Sequence, residues 1–86
     1  MQQKRVESIK EVDLSGLKVP FIAVYQNPKD FPGKCVARIY ELDQPTDTLM
    51  IKDTLEEIAE DIRKHTGMIF IPRGAKDVLS LVGVWM

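Results

Sequence analysis

Between Lys52 and Gly67 a helix start signal, a helical period, a dipole-matched charge order and a stop signal all agree. Asp53 or Thr54 is placed to accept hydrogen bonds from the unpaired amides of a first turn. Glu56 or Glu57, three residues on, can reach back in the capping-box arrangement. Leu55, Ile58, Ala59 and Ile62 recur at i, i+3, i+4 and i+7 and form one apolar stripe. Glu56, Glu57, Glu60 and Asp61 come early and Arg63, Lys64 and His65 late, as the helix dipole favours, and Gly67 is expected to end the helix in a left-handed conformation. The spacing predicts a helix near 54–66. Helices shorter than about 12–15 residues are marginal in isolation. The stripe therefore has to be covered, and the flanking pattern says that the cover is a sheet.

That flanking pattern is a series of short strands separated by breakers. Residues 21–25 are a β-branched and aromatic run between Pro20 and Asn27-Pro28, followed by a loop holding Phe31, Pro32 and Gly33. Residues 35–42 read as the second strand, so the first two form an antiparallel hairpin with a long tip. Asp43-Gln44-Pro45-Thr46-Asp47 reads as a second breaker cluster, after which residues 49–52 form a short third strand feeding the helix. Residues 68–71 and 79–86 complete the series, separated by Pro72-Arg73-Gly74. The expected fold is therefore α+β: a single antiparallel or mixed sheet of about five strands, β-β-β-α-β-β, with one helix packed on one face. Residues 1–18 are polar and mixed in charge and read as a partly ordered N-terminal arm, leaving 19–86 as the single domain. An 86-residue chain has room for one modest core.

Alternation along the strands assigns faces. Ile22, Val24, Cys35, Ala37 and Ile39 suit the helix side, whereas Phe21, Ala23, Tyr25, Val36, Arg38, Tyr40 and Leu42 point to the far side. On the last strand Leu79, Leu81 and Trp85 fall on one face and Val82, Val84 and Met86 on the other. The expected core is Ile22, Val24, Ile39, Leu55, Ile58, Ile62, Phe70 and Val84. One helix covers one face only. The far face then needs either the N-terminal segment or a partner chain across it.

The chemistry-bearing residues are few. Cys35 and His65 are the only candidates for a nucleophile and its base, and each has a plainer reading: a buried thiol, and a histidine placed by the helix dipole. A lone cysteine and a lone histidine do not make a zinc site within one chain, and Asp43, Asp47 and Asp53 lack calcium-loop spacing. Gly33 and Gly74 stand alone, with no glycine-rich turn opening a helix to cradle phosphate. No cofactor and no metal is expected, and no catalytic residue is assigned. The single cysteine excludes an internal disulfide, and no signal-peptide pattern follows Met1, so the expected compartment is the cytoplasm. The longest apolar-rich run is less than half the roughly 20 residues that a membrane helix needs.

What remains is binding. The candidate residues are Tyr25, Lys29, Phe31, Lys34, Arg38, Tyr40, Arg73 and Trp85, which combine cations with rings on or near the far face. Tyr, Trp, Met and Arg are the types that interfaces favour. A net charge of −1 does not oppose self-association. The expected function is a small non-enzymatic interaction protein, with self-association as a homodimer through the far sheet face and the C-terminal strand. Single-stranded nucleic acid, held by the Lys/Arg and aromatic residues, is the alternative of a different class. A small enzyme using Cys35 is a further one.

Tyr25-Gln26-Asn27-Pro28-Lys29-Asp30-Phe31-Pro32-Gly33-Lys34, then Asp53-Thr54-Leu55-Glu56-Glu57, Ile71-Pro72-Arg73 and the closing Val82-Gly83-Val84-Trp85-Met86 resemble a group of small uncharacterised proteins found in bacterial genomes and phages. The resemblance spans about residues 20–86. It implies a compact accessory protein of bacterial or mobile-element origin and supplies no catalytic residue.

Overall fold

The computed structural model describes residues 4–42, 44–72 and 80–86. The helix, α1, spans Leu55–His65. Thr54 caps its start, its hydroxyl accepting from the Glu57 amide at 3.2 Å, and the Glu57 carboxylate reaches back to the Asp53 amide at 3.1 Å. Its end differs from expectation. Thr66 is extended rather than left-handed, and its hydroxyl donates to the Ile62 carbonyl and accepts from the Met68 amide. The threonine satisfies the groups that a left-handed Gly67 was expected to satisfy, and Gly33 is the one glycine with positive φ among the described residues.

Among the described residues six strands form one sheet: β1 (Lys4–Val6), β2 (Pro20–Gln26), β3 (Cys35–Glu41), β4 (Gln44–Lys52), β5 (Phe70–Pro72) and β6 (Leu81–Trp85). Their order is β1-β4-β3-β2-β6-β5. All pairs are antiparallel except β1 with β4, so the fold is α+β with a mixed sheet and one helix on one face. The strand beyond the expected five is β1, contributed by the segment read as an arm.

That segment is built into the helix side. Ser8 caps a short 3-10 turn at Ile9–Glu11, and Asp61 of α1 takes hydrogen bonds from the Ser8 hydroxyl and the Ile9 amide, both at 2.7 Å. Ile9 is buried in the main core, with Val12, Leu14 and Leu17 packed against it. The rest of that core is Val6, Ile22, Val24, Cys35, Ala37, Ile39, Met50, Ile58, Ile62 and Trp85. Five of the eight residues expected there are buried: Ile22, Val24, Ile39, Ile58 and Ile62. Leu55 is only partly covered. Phe70 is 38% exposed because it lies on the sheet's outermost strand, and Val84, paired with Ala23, lies on the far face.

Two more expectations are corrected. Residues 44–48 are strand, not breaker, because the β3–β4 hairpin runs on to Glu41 opposite Gln44. Pro45 is tolerated there beside a register shift between Arg38 and Tyr40, where the Thr46 hydroxyl donates to the Ile39 carbonyl at 2.7 Å. On β6 the faces divide differently, since a register shift against β2 at Val24/Tyr25 inserts an extra residue. Val82 and Trp85 consequently both serve the helix side. Leu79 lies outside the described residues. The last strand is also interior to the sheet, flanked by β2 and β5.

Candidate functional site

The far face is closed more by its own chain than the alternation implies. Val36, Leu49 and Ala23 are buried yet belong to no part of the helix-side core. Their cross-strand neighbours on that face are Tyr25, opposite Val36, and Arg38, opposite both Ala23 and Leu49. Phe21 and Tyr40 stack with centroids 5.0 Å apart and planes at 8°, and the Tyr25 and Tyr40 hydroxyls meet at 3.3 Å. The loop is shaped by Asn27 and Gly33, both at positive φ, with the Gly33 amide donating to the Asn27 side chain at 2.7 Å. It folds back so that Asp30 pairs with Arg38, and the Arg5 guanidinium lies 5.2 Å from the centre of the Phe31 ring.

The cations of the binding candidates are partly committed as well. Lys34 is bonded to Asp53 at 2.5 Å, which raises the lysine pKa and lowers that of the carboxylate. Burial, with the Tyr40 hydrogen bond second, pushes the Tyr25 phenol up to about 12. Lys29 is exposed in the loop, and Arg73 lies outside the described residues. Tyr25, Phe31, Arg38 and Tyr40 are thus brought to one face. Trp85 is not with them: it is on the opposite face and 4% exposed. Cys35 is also buried on the helix side, and burial, reinforced by Asp53 and Glu57, raises its thiol pKa. His65 stands 3.8 Å from Asp61, four residues back on α1. Among the described residues no three potential metal ligands gather, and no helix is long and apolar enough to cross a membrane.

Two features escape the sequence reading. One is the outer edge of the sheet. Ile69 (72% exposed), Phe70, Ile71 and Met86 make up most of the exposed large apolar side chains among the described residues. Ile69 and Met86 exchange both backbone hydrogen bonds, at 2.8 and 3.0 Å, so the alternation of an antiparallel ladder turns the Phe70 N–H and C=O outward. Pro72, turned the same way, has no N–H and ends the open edge.

The other is a groove of about 550 Å³ on the helix side, walled by Leu55, Ala59 and Arg63 of α1 and by Phe70, with Val24, Val82 and Trp85 as its floor. It lies beside α1, whose main sheet contacts are with β3 and β4, on the side towards β6 and the edge strand β5. Phe70 tilts against Trp85 at 5.2 Å, and Arg63 lies 5.8 Å from the tryptophan ring centre. Gly83 permits this arrangement, since a Cβ there would meet the Phe70 ring and come within 2.6 Å of the Ile71 carbonyl. Pro72 closing a short apolar run is the sequence signal that could have marked β5 as an edge. The groove has no comparable signal, because it depends on where the helix lands.

No family model matches the chain, and no match is found among curated proteins or among solved structures.

Proposed function

We propose that the chain is a non-enzymatic interaction protein that pairs with a second copy of itself along the outer edge of β5. The observation that carries this reading is the coincidence of the exposed apolar patch with a self-complementary backbone edge. Two copies brought together antiparallel about a two-fold axis at Phe70 exchange two backbone hydrogen bonds, Phe70 N–H to Phe70 C=O in both directions. The same register sets Ile69 opposite Ile71 of the other copy, a β-branched cross-strand pair of the kind that stabilises sheets. Pro72 has no N–H to give and the Met68 amide opposite it already donates to the Thr66 hydroxyl, so the ladder is limited to those two bonds and the apolar side chains supply most of the affinity and set the register.

The alternatives draw less support from the geometry. Single-stranded nucleic acid needs free cations beside open rings, and here Arg38 and Lys34 are held by Asp30 and Asp53 while the rings pack on one another. Catalysis by Cys35 needs a thiolate, and burial holds the thiol protonated. Light scattering over a concentration series tests the pairing. The wild type is expected to shift from monomer to dimer with concentration, and Ile69→Lys to remain monomeric at every concentration. A wild-type chain that stays monomeric throughout, or an Ile69→Lys variant that dimerises as well as wild type, would overturn the proposal.

A further inference from the structure

We infer that the groove beside α1 seats an amphipathic helix of a partner protein, apolar along one stripe and carrying lysine or arginine one turn apart on its flank. The groove lies in the same layer as α1, over the face of β6 and β5. β6 is paired on both sides and the open N–H and C=O of β5 lie in the plane of the sheet, so the floor offers the groove no backbone donors or acceptors. An occupant must satisfy its own main chain internally, which a helix does and an extended segment does not. Helices packed side by side lie about 8–10 Å apart depending on the contacting residues, and Ala59, small and at the middle of the α1 wall, allows the closer end of that range.

The rim decides the charge of the occupant. Glu56 and Glu60 both line the groove and are exposed, and neither is ion-paired among the described residues. They are four residues apart, a rise of about 6 Å along the helix, which matches lysines or arginines at i and i+4 on a neighbouring helix. The rim cation, Arg63, sits over the Trp85 ring. A helix with an acidic flank would meet the like charge of these two exposed carboxylates, so the rim selects against it as well as for its opposite. The β5 pairing is a separate matter: it uses the outward backbone of Phe70, whereas the groove uses its ring.

Trp85 is the only tryptophan of the chain and forms part of the groove floor, so its fluorescence reports occupancy directly. The probe is a tryptophan-free synthetic helix of about 14 residues, long enough for a continuous stripe. It carries leucines at i, i+3, i+4 and i+7 and lysines along one flank, and its twin has glutamate in place of each lysine. The lysine peptide is expected to give a saturable change in Trp85 emission, and the glutamate twin to bind about tenfold more weakly or worse. The Glu56→Gln, Glu60→Gln double variant, whose changes are at exposed positions, is expected to keep its circular dichroism and lose about fivefold in affinity for the lysine peptide. Equal binding of the two peptides, undiminished binding by the double variant, or no saturable response to either peptide would each overturn the inference.

Discussion

Tyr25 shows how the far face differs from an open binding surface. Its phenol is partly buried and hydrogen-bonded to Tyr40, and burial is the larger cause of its raised pKa. A raised acid pKa means that the folded state favours the protonated form. The stabilising contribution is therefore full below the unfolded value of about 10 and is lost as pH rises from there to about 12. Following phenolate absorbance with pH, one of the two tyrosines is expected to ionise near pH 12. In Tyr40→Phe the midpoint of Tyr25 should fall, because the hydrogen bond goes, and stay above 10, because the burial remains. A Tyr25 midpoint at the ordinary value in the wild type would show that the ring face is open to water.

At the scale of elements, α1 has two distinct apolar rows. Ile58 and Ile62 point into the core and are buried, whereas Leu55 and Ala59 flank the groove. The i, i+3, i+4, i+7 stripe treats these rows as one, and the sheet separates them. Ile58→Ala is expected to cost about 2–5 kcal/mol in urea unfolding, the range for a buried large side chain cut to alanine. Leu55→Ala should cost clearly less, because its site is half open and water fills what is removed. Equal losses in the two variants would mean that the groove is closed in solution.

For the molecule as a whole, the N-terminal segment is part of the folded unit. It adds β1 to one edge of the sheet, buries Ile9 and is pinned to α1 through Asp61. A chain lacking residues 1–18 is expected to unfold at markedly lower urea, and Ile9→Ala alone to cost about 2–5 kcal/mol. Unchanged stability in both would mean that the segment is dispensable to the fold. The two edges of the sheet also differ. β1 presents Lys4 and Arg5, charges that discourage strand addition, while β5 presents apolar side chains and is guarded, among the described residues, by its shortness and Pro72.

The sequence by itself determined the elements whose signals are local: the helix with its Thr54 cap, the β2–β3 hairpin and its loop, and the inward row Ile22, Val24, Ile39, Ile58 and Ile62. Periodicity and capping depend on neighbours within a few residues, so they survive without knowledge of the fold. Only the tertiary structure decided what depends on distant pairing. β4 extends through Pro45 because β3 lies beside it, and the bulge against β2 turns Val82 to the same side as Trp85. Strand order placed the Trp85 strand inside the sheet and made Phe70–Pro72 its edge. The resting place of α1, over β3 and β4, then left the groove beside it open. Each of these is a relation between segments many residues apart, and no local pattern in the chain encodes it.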